Sequence, residues 1–221
     1  MPTALILGAS RGIGHELARQ YKQDGWRVIA TARKAEDLAR LSALGAEAHQ
    51  LDVTSAESIA GLGWKLDDEK IDAAWLVAGL YGPHERFPAQ DEFDAVMHTN
   101  VLSAMRLIPV VAPLLANRRG KLAVLSSRMA SIGERSSAGG SLYRASKAAL
   151  NSVLADAALT YGPQGVTCLS FSPGWVKTDM GGASAPLAVE DSVRDLRRTL
   201  AAAAPSANGS FLNHDGTPIP W

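Results

Sequence analysis

Tyr143 and Lys147, in the run "YRASK", stand four residues apart at the start of an alanine-rich stretch. On a helix, positions i and i+4 share one face, so a phenol and an ammonium would meet there. That pairing suits proton transfer. A free phenol with a pKa of about 10 is a poor base at neutral pH, and lowering it by about three units takes about 4 kcal/mol of selective phenolate stabilisation. One ammonium ~5 Å away supplies ~3 kcal/mol at an effective dielectric of ~20. The spacing therefore predicts that Lys147 acts on the Tyr143 phenol electrostatically and supplies part of that lowering. Alone, such a pair is an ordinary solvated helix face, and its meaning depends on its surroundings.

A glycine turn near the start, "GASRGIG", carries Gly8, Gly12 and Gly14 between an apolar run and a helical pattern. So tight a turn needs backbone freedom, and a pyrophosphate needs close approach to bare main chain. Free N–H groups at the helix start then favour phosphate charge. The spacing G-x-x-x-G-x-G is neither the P-loop nor the common G-x-G-x-x-G pattern, so the strand–turn–helix context carries the dinucleotide reading. Ala32 stands at the tip of the second strand, where an NAD site wants a carboxylate for the ribose 2′-hydroxyl. Arg33 follows it and Arg11 lies in the turn, and two guanidinium groups suit a 2′-phosphate. The cofactor read from these residues is NADP(H) rather than NAD(H). Glu36 and Asp37, in the following helix, are the acids that could still reach the ribose.

Strand and helix patterns alternate throughout. Strands are expected at 3–7, 27–32, 46–53, 71–79, 120–127, 165–172 and 209–213. Helices are expected at 12–24, 35–44, 55–66 (with Ser55 as N-cap), 141–161 and 190–203. Residues 92–117 read as two helical stretches or one bent helix, because Pro109 and Pro113 break the ladder. The pattern predicts one α/β domain over 1–221: a doubly wound, Rossmann-type parallel sheet of about seven strands with helices on both faces. In such sheets ligands bind beyond the carboxyl ends of the strands, where the candidate residues all fall.

With "GASRGIG", Asn100, "VLSS", "YRASK" and "PGWVKT" in this order, the chain resembles the short-chain dehydrogenase/reductase family over essentially its whole length. Its length and the ending "GSFLNHDGTPIPW" look most like the small C-factor-like members. The resemblance implies hydride transfer between a nicotinamide and a carbonyl or secondary alcohol. Tyr143 matches the acid/base and Lys147 its partner, which also holds the nicotinamide ribose. Ser127, preferred over Ser126 as the second of the strand-end pair, would hold the substrate oxygen. Asn100 would relay protons through a water to Lys147, with an ordinary helix-kink amide as the rival reading. The implied cofactor contacts are Gly8, Ser10, Arg11, Gly12, Ile13 and Gly14 in the turn, Arg33 at the adenosine ribose, Asp52 and Val53 beside the adenine, and Ala78 and Gly79. Pro173, Gly174 and Val176 would flank the carboxamide, and Thr178 would reach the carboxamide or a phosphate. Two departures stand out: Leu76-Val77-Ala78-Gly79 replaces the usual Asn-Asn-Ala-Gly, and Leu7 replaces a common threonine. Weaker loop bracing is expected.

The remaining features bound the class. Formal net charge is zero with no basic block, which gives no support to a nucleic-acid partner. Cys168 is the single cysteine, so no intrachain disulfide forms, and its apolar run reads as buried. The first residues lack the charged n-region of a signal peptide, and the apolar stretch 101–116 contains Arg106, Pro109 and Pro113; a cytoplasmic protein that does not span a membrane is expected. His15, His49, His84, His98 and His214 lack metal-ligand spacing, so no metal is expected. Trp26, Trp64, Trp75, Trp175 and Trp221 read as packing residues, with Trp175 at the pocket. Arg128, Arg135 and Arg144 read as solvated. Residues 179–191 read as a short, open lid. Ala145, Ala148, Ala149, Ala155, Ala157 and Ala158 offer a small-residue helix face, and family members commonly pair through this helix, so a homodimer or homotetramer is expected. A second reading, a dinucleotide-sensing regulatory protein without turnover, would need none of the four catalytic positions.

Overall fold

The computed structural model describes residues 1–83 and 87–221, so His84 lies outside the described residues. Seven strands form one sheet: β1 (Thr3–Leu7), β2 (Arg27–Ala32), β3 (Glu47–Gln50), β4 (Ala73–Leu76), β5 (Lys121–Leu125), β6 (Thr167–Ser172) and β7 (Phe211–Asn213). Their order is β3-β2-β1-β4-β5-β6-β7, and every pairing is parallel. The order reverses between β1 and β4, which opens the crevice where doubly wound sheets bind ligands.

Side chains alternate across the sheet with the two-residue period of a strand. Leu5 and Leu7 enter a core with Ile59 and Leu62 of α3 (Ala56–Lys65), Leu107 and Val111 of α5 (Ser103–Ala116), and Leu150 and Leu154 of α6 (Ser141–Tyr161). Ala4 and Ile6 face the opposite core. There they meet Leu17 and Tyr21 of α1 (Gly12–Gln23), Leu41 of α2 (Ala35–Ala43), and Val193 and Leu196 of α7 (Val189–Ala202). Ser55 caps α3 by accepting from the Ser58 amide at 3.1 Å.

β3 and β4 are shorter than their apolar runs. Pairing ends at Ala32↔Gln50, where β2 stops, and at Leu7↔Leu76, where β1 stops. Residues 51–53 and 77–79 therefore leave the sheet as loops at its carboxyl edge.

The region around Asn100 also differs from expectation. Pro109 and Pro113 lie inside α5 without ending it. The irregularity comes earlier, as a π-helical turn (His98–Leu102) between α4 (Gln90–Met97) and α5. A turn of this kind inserts an extra residue into the helix and is common at functional sites. It carries Asn100. The run Gln90–Ala116 is long and apolar enough to cross a membrane by length and composition, and half of its most apolar window is buried inside the protein, as in a core helix.

Two glycines set the distance between the first turn and its surroundings. Gly8 has φ +98°, and a Cβ there would lie 2.7 Å from the Ala78 amide nitrogen. At Gly14 a Cβ would lie 2.1 Å from the Gly8 carbonyl oxygen. No flexible side chain can yield at either place. Gly14→Ala is expected to cost about 1–3 kcal/mol by overpacking, read as a lower urea midpoint. Gly61→Ala, in α3 with open space around it, should instead be neutral or stabilise by about 0.5–1 kcal/mol.

Candidate active site

The first turn of α6 carries Tyr143 and, one turn on, Lys147. Both are buried, at 8% and 4% exposure. The Lys147 ammonium lies 5.8 Å from the Tyr143 ring centroid and donates to the Leu125 carbonyl at the end of β5, 2.7 Å away. It also lies against Gly79, where a Cβ would come within 3.2 Å of Nζ. The Ala78-Gly79 loop and Lys147 thus meet across the crevice.

Ser127 follows β5, and its hydroxyl lies near enough to the Tyr143 phenol to pull the phenol's value down. Its Oγ also accepts from the Met129 amide at 3.1 Å. Ser126 is buried, and its hydroxyl reaches the Lys147 main-chain carbonyl at 3.4 Å. The two serines face opposite ways, and Ser127 is the one beside the phenol.

Asn100 is 2% exposed. Its Oδ1 accepts from the Leu80 amide at 2.7 Å, and its Nδ2 donates to the Leu80 carbonyl at 2.8 Å and to Ser146 Oγ at 2.9 Å. Both amide protons are used, so Asn100 acts here as a brace between the β4 loop and α6.

Electrostatics depart from the expected lowering of the phenol. Burial pushes Tyr143 up to about 12, with the Ser127 hydrogen bond pulling down and Tyr81 pushing further up. Burial also pulls Lys147 down to about 8. Loss of water disfavours the charged form of each group, so the lysine charge is weakened where the phenol needs it. The phenol is therefore held in its protonated form at neutral pH.

At the other end of the crevice, the Gly8 amide donates to Thr31 Oγ1 at 3.1 Å. Thr31 of β2, not a residue at position 7, braces the turn; Leu7 is instead core. Val77, in place of an amide, packs against the other core. Arg11, at the N-cap of α1, makes no side-chain cap, and the first turn holds no acid. The positive-φ turn and the uncapped first-turn amides form a cradle that fits a dinucleotide pyrophosphate. Gly12 approaches the Thr178 methyl, at 3.3 Å from a built Cβ, so this turn meets the loop after β6.

The cations are arranged differently from the sequence reading. Arg11 pairs with Asp179 at 2.7 Å, both well exposed. Arg33 lines a groove of about 290 Å³ with Gln50, Asp52, Ser58, Gly61, Leu62 and Lys65. Lys65 and Arg40, which bonds the Ser10 carbonyl at 3.2 Å, were not among the expected residues. Asp37 pairs with Arg40 and so is directed away from a ribose role. Asp52 accepts from the Thr54 amide and hydroxyl at 2.9 and 2.7 Å, which hold its carboxyl below the ordinary range. Val53 is buried, and Ile13 is partly buried against the α1 core.

Residues 173–187 are stapled by contacts among themselves and with α7. Buried Ser192 donates to the Pro173 carbonyl at 2.7 Å, and Gly174 packs against Leu187 and His214. Buried Val176 bridges Leu187. Trp175 donates to the Gly181 carbonyl at 2.7 Å, and the Thr178 hydroxyl accepts from the Gly181 amide at 3.1 Å. Arg144 is not a free solvated cation: it bonds the carbonyls of Gly139 and Met129 and holds the loop after Ser127 onto α6. Arg128 pairs with Glu134. Trp64 is exposed rather than packed, and buried Cys168 is pushed up to about 12 by desolvation.

Because the Lys147 amine sits below its ordinary value, the unfolded chain binds more protons between about pH 8 and 10.5, and stability rises with pH there. The wild type is expected to gain about 3 kcal/mol over that window relative to Lys147→Met. Urea unfolding of both proteins at pH 7 and pH 10 checks it.

Residues 2–186 match the family described as short chain dehydrogenase. The chain is 33% identical to 1-hydroxy-2-glutathionyl-2-methyl-3-butene dehydrogenase of Rhodococcus sp. (strain AD45), over 100% of both. It is 38% identical to C-signal of Myxococcus xanthus over 125 residues, which is 55% of this chain and 74% of that protein. Its fold matches a Burkholderia multivorans crystal structure with bound NADP at a TM-score of 0.90 and 31% identity, over 100% of this chain and 99% of that one. Sheet order, the glycine turn and the Tyr143–Lys147 pair agree with this likeness, and the chain belongs to the short-chain dehydrogenase family of NAD(P)-dependent oxidoreductases.

Proposed function

We propose that this protein is an NADP(H)-dependent carbonyl reductase, with Tyr143 as proton donor. The observation that carries this reading is the buried, protonated phenol beside Ser127 and Lys147 at the carboxyl edge of the sheet. A nicotinamide held in this crevice would supply the hydride for the carbonyl carbon. Tyr143 gives its proton to the oxygen, and Ser127 holds that oxygen as charge develops. Lys147 keeps its amine against the Leu125 carbonyl and faces the Gly79 loop, where a ribose hydroxyl would come within its reach. The phenol carries its proton at neutral pH, the form that reduction requires.

NADP(H) is supported by Ala32 at the tip of β2 and by Arg33 and Lys65 around one groove. The Arg11–Asp179 pair is exposed, a class worth little to stability, so Arg11 remains free to exchange partners. The substrate is a small aldehyde or ketone, or the corresponding alcohol. A non-catalytic sensor is the second reading, favoured only by the likeness to C-signal. We also propose a homodimer or homotetramer through α5 and α6. Met105, Pro109 and Pro113 are exposed on α5; Ala157 and Ala158 are buried within the fold, leaving Ala145, Ala148, Ala149 and Ala155 at or near the surface.

NADPH oxidation against a carbonyl panel is expected to fall by about 10²-fold or more in Tyr143→Phe. NADPH bound without Tyr143-dependent turnover on any carbonyl would favour the sensor. Calorimetric titration should give tighter binding of NADPH than NADH, with the preference lost in Arg33→Asp; equal affinities in the wild type would defeat the NADP assignment.

A further inference from the structure

Tyr81 follows the β4 loop and lies over the proton donor. The Tyr81 and Tyr143 rings are stacked, with centroids 4.5 Å apart and planes 25° from parallel. Tyr81 is fixed on both sides. Asn100 grips the preceding residue, Leu80, through its amide and its carbonyl at 2.7 and 2.8 Å. At the other end, the Tyr81 hydroxyl comes down over Gly140, where a Cβ would lie 3.1 Å from the phenolic oxygen. A side chain at position 140 would lift it.

The same contacts return to Tyr143. Asn100 Nδ2 donates to Ser146 Oγ at 2.9 Å, and the Ser146 hydroxyl donates to the Tyr143 main-chain carbonyl at 2.8 Å. Ser146 is fully buried. One amide therefore fixes the backbone beneath Tyr143 and the segment that carries the ring above it. The circuit Asn100–Leu80–Tyr81–Tyr143–Ser146 is closed.

We propose that Tyr81 is a positioning residue for the proton donor: stacked on Tyr143 and carried on the segment that Asn100 clamps, it fixes the ring angle that aims the phenol at Ser127. This rests on the reading of Tyr143 as proton donor. Stacked rings have a specific geometry that an aliphatic side chain does not reproduce. Small misplacements of a reacting group cost large factors in rate. Asn100 thereby acts on the donor through Tyr81.

The test compares Tyr81→Phe, Tyr81→Leu and Tyr81→Ala by steady-state reduction of the best carbonyl, with NADPH affinity and thermal midpoint measured alongside. Tyr81→Phe keeps the ring and should stay within about twofold of wild-type kcat. Tyr81→Leu and Tyr81→Ala should lose about 10- to 100-fold in kcat, with NADPH affinity within about twofold. Tyr81→Leu serves if the alanine variant fails to fold. Full kcat in Tyr81→Leu, an equal loss in Tyr81→Phe, or a loss confined to KM or NADPH affinity overturns the proposal. Tyr143→Phe, run in parallel, separates the two ideas: full turnover there refutes the donor assignment itself.

Discussion

An amine and a phenol buried together, one helical turn apart, are the constraint around which this crevice is arranged. Lys147 has given up nearly all its water and retains the Leu125 carbonyl as a bonded partner. Burying a charge without a counter-charge is costly, and the protein responds by shifting the amine towards its neutral form. The same dry surroundings keep Tyr143 protonated. Both groups are thus pushed towards their neutral forms in the cofactor-free crevice.

Neighbouring features follow from keeping that pair in place. Gly79 has no side chain where the amine sits, and the π-helical turn delivers Asn100 to the loop that Gly79 begins. Ser126 ties the α6 backbone to β5 while Ser127 turns to the phenol. At the cofactor end the tolerance is similarly small. Gly14 lets α1 close onto Gly8, and Gly8 closes onto Ala78, so the turn, the helix and the β4 loop share one narrow space.

Much of the fold was legible from sequence, because most strands are apolar runs and the intervening helices carry clear periods. Tyr143, Lys147, Ser127 and the glycine turn were legible as well, since each sits where a strand ends or a helix begins. What stayed hidden depends on tertiary burial and long-range pairing. The raised phenol of the cofactor-free crevice was not legible, because spacing shows that two groups meet but not how little water reaches them. Pro109 and Pro113 suggested the break that occurs instead at residues 98–102. Thr31, Tyr81, Arg40, Lys65 and Ser146 gave weaker signals. Thr31 was a polar residue near the end of an apolar strand, and Ser146 lay inside "YRASK" itself, yet their partners lie 23 and 46 residues away.

An ultraviolet difference titration of wild type against Tyr143→Phe, without cofactor, tests the buried, protonated donor most directly. The difference isolates one phenolate among the four tyrosines. No Tyr143 phenolate should form below pH 10, the ordinary phenol value. One phenolate ionising between pH 7 and 9, and missing in Tyr143→Phe, would contradict it.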